Sequence, residues 1–526
     1  LPGFYFDAEK NRYFPIKGPI PGSSRNPSPA STSTTTRKST SKPNLVDKSC
    51  TRMKKKTAKL LRLRELCGDL IRCSRGNCSF QEEYKKIQAS QPIVWKFQGT
   101  EKAGDSAMEL IHVNIDRPNG LTGTDILFAA SANGSISFYV VGKVRQQFDY
   151  GIGCIPDCKW PLSIEQRERF VEAPGHLWRP SGASVNMSSK ISCMKMYGQH
   201  SDSDGLRRQH LMITSLGSEA SGGSVYTLNL SEPLDYDLSS LMLRRRVHKA
   251  VSFDCTVWTA DCNSDGSQAV VGKFFTATFV WLCTNLGAAL VNLETGVPSW
   301  VLRCKSDVMS LQLDHPGKIV LCGLRNGAIV TVDTREKSEG LSARLARHRI
   351  PYRSQGTCKP SSSTPQNLSK PWLELRGNIF QSRITSMPSS ISCLASLKLY
   401  DQCFLASSMD GSIRLYDHRL MQRGPVQFYE GNVNSHTRIQ LGVDPYERFF
   451  MSGGEDCNLR LWGIKSGELL FEDKFMSSVP SVVCWPGELP RKQDQSENDR
   501  DYLYGQEYSW GAWLGSEEGL FHVCWS

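Results

Sequence analysis

A short two-strand unit recurs seven times along the chain. Its template is an apolar strand ending in small residues, a tight turn containing Gly, and a second strand of alternating pattern. The copies are ILFAASANGSISFYVV (126–141), SGGSVYTLNL (221–230, after a strand at HLMITSL), TNLGAALVNLETG (284–296), IVLCGLRNGAIVTVDTR (319–335), LASSMDGSIRLYDHRL (405–420), FFMSGGEDCNLRLWGIKSG (449–467) and WGAWLGSEEGLFHVCWS (510–526). Asn-Gly and Asp-Gly recur because two-residue hairpin turns need positive φ. Units that each form one small sheet cannot bury both faces alone. Arranged radially, they pack sheet on sheet and protect their edges. The repeat therefore predicts an all-β fold over residues 91–526, a seven-bladed β-propeller.

The last copy ends one strand short of a full sheet. PIVWKFQ (92–98), before the first copy, is the natural supplier, and joining both ends of the chain in one sheet would latch the ring. The third copy is odd. AVVG (269–272) reads as a strand whose turn should follow at once, and removing Lys273 to Cys283 restores the template. KFFTATFVWLC is therefore read as an insertion. It also explains why Phe274 to Leu293, twenty residues without a charge, imitates a membrane span.

Ahead of the repeats, residues 1–22 alternate aromatics with Gly and Pro, and residues 23–53 are a Ser/Thr/basic linker with little to bury. Residues 54–88 turn helical. Leu60, Leu63, Leu66 and Leu70 fall on one face, and Gly68 weakens the helix. The net charge of +11 resides in the tail: residues 1–72 hold 16 basic and 5 acidic residues, and the body balances at 47 against 47. A neutral body is a poor platform for nucleic acid, so any such binding falls to the basic tail. Eighteen scattered cysteines suit reduced thiols in the nucleus or cytoplasm.

Catalytic chemistry finds no foothold. GSQAVVGKF (266–274) has one residue too many for a phosphate loop and Phe where Ser or Thr must ligate magnesium. Cys154 and Cys158 with His176 lack the second ligand pair of a zinc site. No nucleophile elbow is present. The expectation is a non-enzyme without metal or cofactor. Within the blades, Asp410 and Asp456 lie in inter-strand turns, and His436 is expected to bond Asp456.

Two hairpins end alike, in Asp417-His418-Arg419 and Asp333-Thr334-Arg335. Aligning Leu321 with Leu405 superposes them without a gap, so both Arg side chains are expected on the same face of adjacent blades. Asp417 can hold its turn by accepting amides, with Arg419 left to fork onto a partner. The bland alternative pairs each Arg with its own blade. Asp417, Leu461-Trp462 and the turn Asp residues sit where WD repeats place their signature, and the chain resembles WD-repeat β-propellers. At Tyr416-Asp417-His418-Arg419 and Val332-Asp333-Thr334-Arg335 it resembles the WD-repeat substrate receptors of cullin-4 RING ubiquitin ligases. The opening LPGFYFDAEKNRYFPIKG is similar to that of one member. The resemblance implies docking on DNA damage-binding protein 1, and through it cullin-4, by those two boxes. It also implies a short helix, with Leu60, Leu63, Leu66 and Leu70, that either inserts into this adaptor or packs on the propeller. Both boxes depart from the family pattern, which has Trp where Tyr416 and Val332 stand. The alternative reading is a generic scaffold in a chromatin or RNA-processing complex.

Overall fold

Each of the seven hairpins pairs antiparallel where the repeat places it. The structure is a computed structural model describing residues 4–7, 12–15, 57–66, 68–73, 76–117, 120–142, 151–161, 176–198, 209–218, 222–235, 240–263, 268–274, 286–314, 317–335, 347–351, 372–377, 379–486 and 510–525. It divides into two units, Leu1–Ala58 and Lys59–Ser526. The first contains an antiparallel hairpin of Phe4–Asp7 and Arg12–Pro15. The linker at 23–53 lies outside the described residues.

The turn chemistry explains the hairpins. Gly134, Gly327 and Gly411 have φ of 87°, 84° and 84°. In each case the preceding Asn or Asp side chain accepts the amide two residues on: Asn133 from Ser135 at 2.8 Å, Asn326 from Ala328 and Asp410 from Ser412, both at 3.1 Å. The sixth hairpin performs the same turn with Cys457 at φ 63° and Asp456 accepting from Asn458. The middle strands Ala328–Asp333, Phe449–Gly453 and Leu459–Gly463 are buried at every position. Neighbouring sheets cover both their faces, which is why they read as apolar runs.

Six blades follow one another, each on its own span of chain. Blade one contains Ala107–Arg117, Gly120–Ala130, Ser135–Gly142 and His176–Arg179; blade two Ile191–Tyr197, His210–Ser215, Ser224–Asn229 and Val247–Ser252. Blade three has Thr256–Cys262, Gln268–Phe274, Leu286–Asn292 and Pro298–Cys304; blade four Val308–Leu313, Ile319–Leu324, Ala328–Asp333 and Ile379–Ser386. Blade five is Ile391–Ser396, Cys403–Ser408, Ile413–Asp417 and Gln427–Tyr429; blade six is Gly442–Val443, Phe449–Gly453, Leu459–Gly463 and Leu469–Asp473. The expectation of seven like blades is corrected to these six. The last hairpin, Trp510–Ser516 with Gly519–Trp525, belongs instead to a composite closing sheet. Val482–Cys484 lies on its inner side and Ile93–Phe97 on its outer side, with Phe521 opposite Lys96 and Cys524 opposite Ile93. Pro156–Trp160, from the excursion after the third strand of blade one, adds a strand beyond Ile93–Phe97, which the sequence did not suggest.

In blade three, Gln268–Phe274 pairs Leu286–Asn292, so Lys273 and Phe274 are strand and residues 275–285 lie outside the described residues. No helix among the described residues is long and apolar enough to cross a membrane. Trp372–Gly377 and Arg347–Pro351, from the long insertion after the third strand of blade four, turn back to extend blade three.

Hydrogen bonds at the inner strands join every neighbouring pair of sheets. Met196 donates its amide to Glu109, Cys193 its thiol to the Ala260 carbonyl, and Leu313 its amide to Asp261. Leu394 donates its amide to Ser310, Leu441 to the Cys393 sulfur, Gln440 to the Ser481 carbonyl, and the Ser481 hydroxyl to the Asp105 carbonyl. The circuit runs from blade one through blade six and the closing sheet back to blade one.

The helical reading of residues 54–88 is corrected. A helix spans 57–66 and stops where Gly68, at φ 72°, donates its amide to the Arg64 carbonyl at 2.8 Å. Gly68 ends the helix; it is not an interior weakness. A hairpin, Leu70–Cys73 with Gly76–Ser79, and a second helix, Phe80–Ala89, follow. Leu60, Ile71 and Phe80 form a small core of their own. The second helix is anchored on the ring: Trp525 Nε1 donates to the Ala89 carbonyl at 2.8 Å and Lys86 Nζ lies 3.2 Å from Glu468.

Because Ile93–Phe97 completes the closing sheet, deletion of residues 91–99 is expected to abolish cooperative folding of the ring, and an unchanged melting temperature would contradict this. Val94 is fully buried, so Val94→Ala should cost about 2 kcal/mol in urea unfolding.

Candidate partner-docking surface

The two Asp-x-Arg corners have the same geometry. Asp417 and Asp333 close the third strands of blades five and four, paired across from Cys403 and Ile319. Both are buried, at 8% and 7% exposure. Asp417 Oδ1 accepts the Arg419 amide at 2.9 Å and Asp333 Oδ1 accepts the Arg335 amide at 2.9 Å. Each carboxylate then grips its own arginine through two nitrogens: Arg419 Nε at 3.1 Å and Nη2 at 2.8 Å, and Arg335 Nε at 3.0 Å together with Nη2. Hydrogen bonding from Arg419 outweighs burial and holds the Asp417 carboxyl below the usual carboxylate range. The Arg side chains stay 54% and 61% exposed. Among the described residues their only ion pairs are to these aspartates, so the expectation that Arg419 is left unpaired by its own turn does not hold.

Tyr416 and Val332, included in the expected contact surface, are fully buried. Tyr416 stacks on Phe404 at 5.5 Å as Trp462 stacks on Phe450 at 5.0 Å. The residue before the aspartate points between blades, so replacing Trp by Tyr or Val there alters packing and leaves the surface intact. The leucine face is split as well. Leu60 is buried and Leu63 packs against the same small core, whereas Leu66 and Leu70 are 81% and 68% exposed, Leu70 on a strand.

Asp410 holds its turn through Ser408 and Ser412. Asp456 meets Arg460 and Asn458, and not His436. His436 is 85% exposed, bonded to Ser435 at 2.7 Å. The carboxylate that organises this corner is instead the neighbour of Asp456, Glu455, which accepts from the Thr437 hydroxyl at 2.6 Å and amide at 2.9 Å, the His436 amide at 3.1 Å and the Ser435 hydroxyl. A one-residue shift in the turn decides which acid faces the His436 segment.

Beside Arg419 lies a surface that sequence reasoning missed. Leu399, Tyr400, Leu420 and Tyr446 are 62%, 39%, 43% and 67% exposed. They sit on loops bound together at the same end of blades five and six. The His418 amide bonds the Gln402 carbonyl, and Glu447, 4% exposed and at φ 51°, accepts the amides of Lys398, Leu399 and Tyr400. Lys465 lies 5.4 Å from the Tyr400 ring centroid and Arg448 4.8 Å from that of Tyr446. Aromatic and basic groups in one exposed cluster are the composition of interface anchors.

Burial opposes ionisation of Glu455, yet its hydroxyl and amide donors bring its pKa down from 4.5 to about 2. A carboxylate whose folded pKa is depressed stabilises the fold above its unfolded pKa and loses that contribution as pH falls through the folded one. The stability contributed by Glu455 should therefore fall as pH drops from 4.5 to about 2. Glu455→Gln should flatten that part of the acid-unfolding profile.

The WD40 model (WD domain, G-beta repeat) matches residues 381–417 and 424–463, covering parts of blades four to six. The chain is 37% identical over 70 residues to DDB1- and CUL4-associated factor 4 of Bos taurus, covering 13% of this chain and 14% of that protein. It is 38% identical over 81 residues to DDB1- and CUL4-associated factor 4-like protein 2 of Homo sapiens, covering 15% and 20%. A WD repeat-containing protein of Caenorhabditis elegans is 22% identical over 190 residues, covering 35% of this chain and 28% of the relative. The matches thus span about a fifth or less of the named factors. The chain is a WD-repeat β-propeller protein, and its relatives support the DDB1- and CUL4-associated factors as its family.

Proposed function

We propose that the chain is a substrate receptor of a cullin-4 RING ubiquitin ligase. It docks on DNA damage-binding protein 1 through the end of the ring that carries Arg335 and Arg419, with the composite closing sheet serving as the seventh blade. The observation that carries this reading is the repetition of one Asp-x-Arg corner on adjacent blades, each presenting a half-exposed guanidinium already oriented by its own aspartate. Pre-orientation lowers the entropy lost when such a group meets a partner carboxylate or carbonyl. The names of the relatives support the same partners. Such a receptor does no chemistry; it holds a target near the charged enzyme and raises its effective concentration. Among the described residues the cysteines are buried or half-buried, which suits a nuclear or cytoplasmic setting.

The purely structural alternative, in which each arginine only locks its turn, makes a different prediction. Each pair joins a buried carboxylate to a half-exposed guanidinium, so under this alternative Arg335→Ala with Arg419→Ala should lower the melting temperature and leave adaptor binding as in the parent. Under the docking reading the double variant loses most of its co-purification with the adaptor. Undiminished recovery would remove the two corners as anchors and leave the generic scaffold reading.

A further inference from the structure

The innermost strands carry charged side chains that the docking surface does not use. Asp261 of blade three lies 2.6 Å from Lys195 Nζ of blade two and accepts the Gln312 amide of blade four at 2.8 Å and the Leu313 backbone amide at 2.7 Å. Glu109 of blade one accepts the Met196 amide at 3.2 Å, and burial pushes its pKa up to about 7, against the opposing charges of Lys195 and Lys398. Lys195 is 39% exposed although it sits on an inner strand, so there is room around it at the axis.

Arg438 is the exception to this pairing. It precedes the first strand of blade six, yet its Nη1 donates to the Ser192 carbonyl of blade two at 3.0 Å, and its guanidinium carbon lies 5.6 Å from the Trp258 ring centroid of blade three. The closing sheet and blade one separate blades six and two on the shorter side, so the side chain reaches across the axis. Among the described residues no carboxylate pairs with it; the titratable groups facing it are the thiols of Cys193 and Cys393, and burial lowers its pKa. Lys195 acts on the same two thiols, and Asp261 and Glu109 act on Cys193, so both cations and both carboxylates border one space. A half-buried cation with no carboxylate paired to it is unfavourable, and an anion entering beside it relieves that.

We propose that the axial channel binds a phosphate group, free or carried on a small molecule, with Arg438 as its principal ligand and Lys195 beside it. The carboxylates nearby face other partners: Asp261 Oδ2 accepts from Gln312 and Leu313 and its Oδ1 lies against Lys195, and Glu109 accepts from Met196. The proposal is independent of adaptor docking.

The test titrates the full chain with inorganic phosphate and, separately, inositol hexakisphosphate, against chloride at matched ionic strength, reading thermal melting and calorimetric binding. A saturable rise in melting temperature is expected with at least one probe, and which one responds identifies a free or an esterified phosphate. Arg438→Met should weaken that binding at least tenfold, and in chloride it should melt at or above the parent because an unbalanced cation has been removed. The Arg335→Ala, Arg419→Ala double variant should bind as the parent does. Absence of a saturable response to both probes, an equal response in Arg438→Met, or an Arg438→Met chain that fails to fold or melts well below the parent would each overturn the proposal.

Discussion

The antiparallel pairing of Ile93–Phe97 with Gly519–Trp525 is the contact on which the rest of the ring depends. It joins residues more than four hundred positions apart and gives the last hairpin its outer strand. Without it the closing sheet would present an open, apolar edge, and the inner hydrogen bonds from Gln440 to Ser481 and from Ser481 to Asp105 would lose their support. The latch is itself reinforced. Pro156–Trp160 covers its far side, and Trp525 fixes the preceding helix through Ala89.

Ring closure sets the geometry of the surface. Because Asp333 and Asp417 end the third strands of neighbouring blades at the same register, their arginines leave the same end of the ring. Each corner is locally self-sufficient: the aspartate holds both the amide and the guanidinium of the residue two positions on. The long-range element is Glu447, which draws the 398–400 loop of blade five onto blade six and so places Leu399 and Tyr400 beside Tyr446. The polar axis follows from the same closure, since Arg438 can meet Ser192 only if blade two stands across from blade six.

Much of the local chemistry was legible. Asn133, Asn326 and Asp410 accept the amides that Asx turns require, and each is followed by a Gly at positive φ. The supplier of the missing strand was legible too, because an apolar run without a hairpin partner stood at the other end of the chain. His436 was misassigned because Glu455 and Asp456 are adjacent, and only the conformation of the turn chooses between them. Gly68 was read by propensity as a weakness within a helix, where its left-handed conformation makes it a terminator. The exposed patch at Leu399, Tyr400, Leu420 and Tyr446 gave little signal, since its members come from separate loops and isolated apolar residues are common on surfaces.

By itself the sequence determined what repeats: strand, turn and strand with a period that no single sheet can satisfy, and two corners whose Asp and Arg are two residues apart. These depend on φ, ψ and nearest neighbours, which are local. The tertiary structure decided what faces what. Tyr416 and Val332 turned inward between blades, and Leu66 and Leu70 were left in solvent by a helix that ended early. Arg438 came to lie across the axis beside Trp258. Such outcomes depend on how separate stretches of chain share space, and their spacing along the chain carries no record of it.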